Sequence, residues 1–203
     1  MTNRNQPFCY PLAIQFALPP RYRDHRELPP TLDGLRDAGF SGVELNIADP
    51  FTVDWADLFA FLKDHGLAMF RFASGLTAKT RSLSLSAADA ESRQQSVAAC
   101  RQMVRALAGT ETGIILGFFK GPVAADRDGA RSRFARSLAE LVRDAAEHRV
   151  PLVVEATNRY ESSVANSLDD TDCAGTTSEA ARGARSTSGT RKRSAARSSP
   201  RWR

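Results

Sequence analysis

The feature that most constrains the fold is a regular alternation of short apolar runs with longer amphipathic segments between residues 12 and 154. Five apolar runs predict strands of a buried sheet: Leu12–Leu18, Gly42–Ile47, Leu67–Ala73, Gly113–Phe119 and Leu152–Val154. The segments between them predict four helices, at about residues 30–38, 54–66, 86–107 and 128–148, with a polar loop before the third helix. Strands that alternate with helices through short loops favour a parallel sheet with right-handed crossovers.

Two architectures fit this alternation, an open doubly wound sheet and part of a (β/α)8 barrel. A nucleotide-binding Rossmann unit would carry a glycine-rich phosphate loop after its first strand. The chain has Leu-Pro-Pro-Arg-Tyr-Arg at that place, residues 18–23. The sequence therefore argues against a Rossmann unit and leaves both architectures open.

The composition of the chain changes abruptly near residue 170. From Asp169 to Arg203 there is no Leu, Ile, Val, Phe, Met or Tyr, and Trp202 is the only large apolar residue. Such a segment cannot bury enough apolar surface to offset its ordering entropy. We therefore expect residues 1–170 to form the folded part and residues 171–203 to form a disordered tail rich in Arg and Ser.

The net charge of +5 is concentrated in this tail, where eight Lys and Arg residues oppose Asp172 and Glu179. Residues 1–170 are then near neutral, which gives no indication of nucleic-acid or membrane binding. The tail itself could hold a phosphate backbone through charge alone. Because no series of aromatic residues accompanies its basic residues, we do not expect nucleic acid to be a partner.

The cysteines and the apolar runs predict a cytoplasmic protein. Cys9, Cys100 and Cys173 have neither a metal-binding spacing nor the pattern of a disulfide framework, which suits a reducing compartment. The apolar run at residues 12–18 is too short to span a bilayer and is interrupted by Gln15. No signal-peptide pattern precedes it, so we expect no membrane partner.

The strongest candidate for chemistry stands where the fifth apolar run ends. Glu155 follows Val154 directly, and Thr157, Asn158, Arg159 and Glu161 come next. A carboxylate at the end of a buried strand is costly unless a cation or hydrogen-bond donors surround it. In folds built from strand–helix units, ligands bind at the carboxyl ends of the strands. Glu155 is therefore the best single candidate, with a structural ion pair to Arg159 or to another cation of the barrel as the alternative.

The segment VVEATNRYESSVANSL, residues 153–168, resembles the fifth strand and following loop of the sugar isomerase/epimerase superfamily with a xylose-isomerase-like barrel. That superfamily includes ketose 3-epimerases and inositol-catabolism isomerases. Its pattern is a Glu, two residues, Asn-Arg-Tyr/Phe-Glu and a later Asn, which here are Glu155, residues 158–161 and Asn166. The segment GFSGVELN, residues 39–46, also matches, and the resemblance covers roughly residues 10–170.

The resemblance implies a partial (β/α)8 barrel and a role in sugar metabolism. It implies a divalent metal, Mn²⁺ or Mg²⁺, held by four side chains at the ends of strands five to eight. Glu155 would be the first ligand and would also take part in proton transfer, and Glu161 would bind hydroxyl and carbonyl oxygens of the substrate. Asn158 and Arg159 are the other substrate-binding candidates, and the substrate would be a sugar, a sugar phosphate or a polyol. The residues alone leave open that Glu161 is a solvated loop residue and that Arg159 only orders the loop.

The expected downstream ligands, an Asp, a His and a second Glu, have no counterpart on a strand-like segment of this sequence. The last histidine, His148, precedes Glu155, and a complete barrel needs roughly 250 residues. We therefore expect an inactive, truncated barrel whose open first and fifth strands favour self-association. Two alternatives are a non-catalytic protein whose basic tail binds nucleic acid and a metal-dependent endonuclease on the same barrel. The endonuclease would need more His and carboxylate ligands than this sequence offers.

The change of composition at residue 170 is what a shifted reading frame in GC-rich DNA would produce. Our hypothesis is that residues 171–203 are a frameshift product. We expect another frame of the coding DNA beyond codon 170 to encode strand-like segments that carry the missing Asp, His and Glu. If no frame encodes such segments, the hypothesis is wrong.

Overall fold

The computed structural model describes residues 10–167, which form a five-stranded parallel sheet and the helices packed on it. The strands are β1 (Ala13–Ala17), β2 (Gly42–Asn46), β3 (Ala68–Ala73), β4 (Gly113–Leu116) and β5 (Leu152–Val154). The helices are α1 (Leu28–Asp37), α2 (Trp55–Asp64), α3 (Gly75–Thr80), α4 (Ala90–Ala106) and α5 (Arg127–His148). Short 3₁₀ helices occur at Tyr22–Asp24, Pro50–Thr52 and Phe118–Lys120.

The order of the strands decides between the two architectures. It is β1-β2-β3-β4-β5, so each strand is added on the same side of the one before it. A doubly wound sheet reverses its direction at a switch point, whereas the strands of a (β/α)8 barrel follow one another in this way. The prediction of a partial barrel with five parallel strands is therefore confirmed. The predicted tail, residues 171–203, lies outside the described residues.

Aspartate caps fix where α2, α4 and α5 begin. The carboxylates of Asp54, Asp89 and Asp126 accept hydrogen bonds from the backbone N–H groups of the third residue after each of them, at 3.0, 2.7 and 2.9 Å. These bonds satisfy donors that a helix leaves unpaired in its first turn. The hydrogen bond from the backbone N–H of Ser92 is the main reason that the pKa of Asp89 lies below its usual value.

The structure differs from the sequence prediction at two places. The segment expected to be a polar loop after the third strand contains α3, and the fourth strand ends at Leu116 instead of continuing to Phe119. Residues Phe118–Lys120 turn into a 3₁₀ helix, yet Phe119 is still fully buried. The apolar character of Phe119, from which a strand was predicted, therefore reflects the burial of its side chain and not an extended backbone.

The two faces of the sheet are chemically different. Alternate strand residues point to opposite faces, except at a bulge where β3 pairs with Val43 and Glu44 of β2. One set is buried in the hydrophobic core: Val43, Leu45, Met69, Phe72, Ile114 and Leu116. The register places Gln15 beside Glu44 and Glu44 beside Arg71 on the other face, with Asn46, Ala73, Ile115 and Val153 one step further along the strands. This second face corresponds to the interior of a barrel, and it is where polar side chains reach the carboxyl ends of the strands.

None of the helices in residues 10–167 is long and apolar enough to cross a membrane.

Candidate functional site

A cavity of about 270 Å³ lies at the carboxyl ends of the strands. Gln15 and Asn46 line it from β1 and β2, and Lys79 lines it from α3. The residues that follow β4 and β5 supply the opposite part of the lining, which includes Phe118 and Glu155. The polar lining residues thus include one ammonium group, two carboxylates, two side-chain amides and two hydroxyls, which can bind a polar molecule with several oxygen atoms.

Glu155 lies at the cavity because of its register on the sheet. Its backbone N–H donates to the carbonyl oxygen of Leu116 at 3.4 Å, so the pairing of β5 with β4 continues for one more residue. This pairing places Glu155 beside Gly117 and on the same face as Val153. A Cβ atom on Gly117 would overlap Oε2 of Glu155. The absence of a side chain at residue 117 therefore leaves the space that the carboxylate occupies.

The carboxylate of Glu155 is exposed and available for a ligand. Within residues 10–167 it accepts no hydrogen bond and forms no ion pair, and the alternative of an ion pair with Arg159 is not realised in this part of the chain. A carboxylate without a protein partner can accept a proton or a hydrogen bond from a bound molecule. Ligation of a metal ion by Glu155 stays a prediction.

Of the other predicted residues, only Glu161 reaches the cavity lining. Asn158 shapes the backbone of the loop, because its Oδ1 accepts from the backbone N–H of Tyr160 at 2.9 Å and its carbonyl accepts from that of Glu161 at 3.1 Å. Arg159 is exposed and lies outside the lining. The structure thus brings Glu155 and Glu161 to one cavity, while substrate binding by Asn158 and Arg159 stays a prediction.

Several lining residues were missed because they belong to the other strands and to α3. The Oδ1 atom of Asn46 accepts from the backbone N–H of Leu76 at 2.7 Å and so fixes the first turn of α3. That helix carries Lys79, whose Nζ lies 4.1 Å from the centroid of the Phe118 ring. Its place at the end of the second strand made Asn46 a possible pocket residue, but a structural role was favoured from the sequence. Lys79 could not have been proposed, because the sequence predicted a loop there.

A buried lysine behind Glu155 is a further residue that sequence reasoning passed over. Lys120 is 0% exposed, and its Nζ donates to the carbonyl of Glu155, to Oγ1 of Thr157 and to the carbonyl of Ala165. The signal that would have identified it is its position, since it directly follows an apolar run and precedes Gly121.

The described residues do not form a divalent metal site on their own. Mn²⁺ and Mg²⁺ prefer several oxygen or imidazole ligands around one point. Between residues 10 and 167 there is no group of three His, Cys, Asp or Glu side chains that could hold a metal ion. The ring of His65 contacts Asp33 and that of His148 contacts the carbonyl of Asp144, so both are engaged on helices away from the cavity. Glu155 and Glu161 remain as two carboxylates at one cavity.

The fold and the matched residues identify the family of this chain. Residues 32–180 match the family model described as the xylose isomerase-like TIM barrel. The chain belongs to this family. The resemblance noted at residues 153–168 is thereby confirmed, and no curated protein sequence is significantly similar to the chain.

Solved structures with the same fold include two sugar epimerases and a protein of the AP endonuclease family. An L-ribulose 3-epimerase has a TM-score of 0.63 at 22% identity, over 80% of this chain and 55% of that one. A D-allulose 3-epimerase from Methylomonas sp. in complex with D-allulose has a TM-score of 0.58 at 20% identity, over 72% of this chain and 51% of that one. An AP endonuclease, family 2, from Brucella melitensis has a TM-score of 0.56 at 16% identity, over 75% of this chain and 59% of that one. At these identities the likeness shows the fold alone, and the chain spans only about half the length of these structures.

Replacing Gly117 by alanine should move the Glu155 carboxylate without unfolding the protein. The added Cβ would overlap Oε2, which is the end of a flexible side chain, so we expect a stability loss below the ~1–3 kcal/mol typical of an overpacked core. The ¹³C chemical shift of the Glu155 carboxyl group should change clearly. Gly34→Ala on α1 is the control, because nothing lies within 4 Å of its added Cβ, and it should stabilise the helix by about 0.5–1 kcal/mol. An unchanged Glu155 signal in Gly117→Ala would contradict the geometry.

Proposed function

We propose that the cavity binds a sugar, sugar phosphate or polyol and that the chain carries the first part of the active site of a metal-dependent isomerase or epimerase. The observation that supports this most is the Glu155 carboxylate on the cavity lining, which has no protein partner within residues 10–167, with Glu161 on the same lining. The family membership and the D-allulose complex of a structural neighbour agree with a sugar ligand.

In this proposal the two carboxylates have different tasks. Isomerisation or epimerisation next to a carbonyl requires that a carbon-bound proton be removed and returned, which a positioned carboxylate can do. Glu155 takes this part because its carboxylate has no competing partner within the described residues, and in the complete family site it would also be a metal ligand. Glu161 accepts hydrogen bonds from substrate hydroxyl groups, and the side-chain amides of Gln15 and Asn46 bind others across the cavity.

We further propose that the 203-residue chain on its own does not catalyse the reaction. Two carboxylates do not hold Mn²⁺ or Mg²⁺ firmly, and residues 168–203 contain no histidine. The other ligands that the family pattern calls for would have to come from sequence that follows strand five in a complete barrel. The chain would then bind a sugar weakly and leave it unchanged.

No specific observation favours either of the other functions. An endonuclease on this barrel would need a cluster of metal ligands, and residues 10–167 contain no group of three. Nucleic-acid binding by the basic tail concerns residues 171–203, which lie outside the described residues. The cytoplasmic location remains an expectation from the cysteines.

The binding part of the proposal is tested by titrating the ¹⁵N-labelled full chain with D-allulose. We expect the side-chain amide signals of Gln15 and Asn46 to shift, because both side chains line the cavity. Glu161→Gln should weaken the affinity about tenfold, since it removes a charge-assisted hydrogen bond. Glu91→Gln, at an exposed glutamate in the first turn of α4, should leave the affinity unchanged. Shifts that spare the cavity, or equal effects of the two variants, would refute a sugar site here.

Self-association is the last part of the proposal, and it follows from the sheet. Within the described residues β1 and β5 each pair with one neighbouring strand, so each has an unpaired edge. Unpaired edges are templates for pairing with another chain. Ile14 on β1 and Val153 on β5 are 41% and 39% exposed, which adds apolar surface at both edges.

We expect the chain to be poorly soluble and to sediment as species larger than a monomer at micromolar concentration. Ile14→Lys should raise the monomer fraction, because a charge at an exposed edge opposes strand pairing. Val123→Lys is the matched control, since Val123 is an exposed apolar residue, 48% accessible, that lies on no strand. Analytical ultracentrifugation of the three proteins decides the question. A monodisperse wild-type monomer would be incompatible with open, reactive edges.

A further inference from the structure

We propose that Lys120 is a positioning residue of the candidate site, whose ammonium group holds the segment 155–165 and thereby sets the places of the Glu155 and Glu161 carboxylates. The importance of those two carboxylates rests on the function proposed above. The proposal that this buried cation orders the segment 155–165 rests only on the contacts of Lys120.

Three contacts of Lys120 within residues 10–167 lead to one segment of the chain. Its Nζ lies 3.1 Å from Oγ1 of Thr157 and 3.0 Å from the carbonyl oxygen of Ala165, and it also donates to the carbonyl of Glu155. These three acceptors are 35, 37 and 45 residues away in sequence. An ammonium group has three N–H donors, so the two ends and the interior of the segment meet at one atom.

Burial makes these contacts costly to lose. The side chain of Lys120 is fully inaccessible to solvent. A charged group without water must be compensated by hydrogen bonds, because otherwise its transfer from water is strongly unfavourable. Any movement of the segment 155–165 that separated its oxygen atoms from Nζ would leave the ammonium group poorly solvated. The cation therefore opposes such movement more strongly than a neutral donor would.

The backbone next to the lysine is built for this placement. Lys120 ends the short 3₁₀ helix after β4, and its N–H donates to the carbonyl of Gly117 at 3.2 Å. Gly121 follows with a φ of 120°, a conformation that residues with a side chain rarely adopt. The chain can thus leave the helix at once while the lysine side chain remains behind the end of β5.

The far end of the segment is strained, and Lys120 contacts the strained residue. Ala165 has a φ of 52° and is only 2% exposed. A non-glycine residue in this region persists only where its surroundings hold it. Its carbonyl accepts from Lys120 and also from the backbone N–H of Thr157, while the side-chain amide of Asn166 donates to the carbonyls of Thr157 and Ser162. The loop is thereby closed on itself around the ammonium group.

The part of the loop that carries Glu161 is a turn shaped by hydrogen bonds to Asn158. Residues 158–161 are all exposed, and Tyr160 is 85% accessible. The position of Glu161 relative to Glu155 therefore depends on the two places where the loop is held, at residues 155–157 and 162–166. Lys120 contacts both places, and it does not itself line the cavity. Its role is to position the carboxylates and not to touch a substrate.

The test compares amide hydrogen exchange, read by mass spectrometry, in the full-length wild type and Lys120→Met. We expect the amides of residues 155–166 to exchange at least tenfold faster in the variant, while α4, α5 and the strands keep their protection. Lys63→Met, at an exposed lysine on α2, should match the wild type. Leu138→Ala in the core of α5 serves as a variant of reduced stability, and it should speed exchange across the fold without singling out this segment.

The pattern of exchange decides the proposal. A uniform loss of protection in Lys120→Met like that in Leu138→Ala, or no change at residues 155–166, overturns it. If Lys120→Met does not fold, Thr157→Val decides alone, because it removes one acceptor and should speed exchange selectively in the segment by about threefold. Exchange does not depend on a sugar, so a chain that loosens here but binds no D-allulose would refute the proposed function and uphold the role of Lys120.

Discussion

The structure depends on one constraint, the parallel pairing of successive strands from β1 to β5, which has one bulge between β2 and β3. Since all five strands run in the same direction and follow one another in space, their carboxyl ends lie along a single edge of the sheet. Residues that the pairing places on the same face then share the barrel interior, which is how Gln15, Asn46 and Glu155 come to line one cavity although they are far apart in sequence. The side chains of the site are ordinary polar residues, and only the register makes them neighbours.

The sequence was sufficient to predict the strands, the longer helices and the place of Glu155, because each depends on a local pattern. Apolar runs predict strands, amphipathic segments predict helices, and a carboxylate after the last apolar residue of a strand predicts the ligand-binding edge. The helix α3 escaped prediction because distant groups hold it, namely Asn46 through the N–H of Leu76 and the carbonyl of Ile47 through Thr77. Lys120 escaped for the same reason, since its three acceptors within residues 10–167 lie on another strand–loop unit.

Membership of the xylose isomerase-like TIM barrel family fixes the architecture more firmly than the chemistry. The same fold is found in sugar epimerases and in a protein of an endonuclease family, so the activity is decided by the side chains at the strand ends. In this chain those side chains are two carboxylates, one ammonium group and several neutral donors and acceptors. This set is adequate to recognise hydroxyl groups, and it is incomplete as a coordination sphere within the described residues.

The contact between Gly117 and Glu155 has a consequence for how such sequences can diverge. The volume that a side chain at residue 117 would fill is the volume that the Glu155 carboxylate uses, so a large side chain at residue 117 requires the carboxylate to move. A family member with a bulkier residue in place of the glycine would be expected to carry a shorter one in place of the glutamate. Such a protein would keep the barrel but lack the carboxylate. The residues at positions 117 and 155 therefore offer a way to distinguish catalytic lineages from those that retain only the fold.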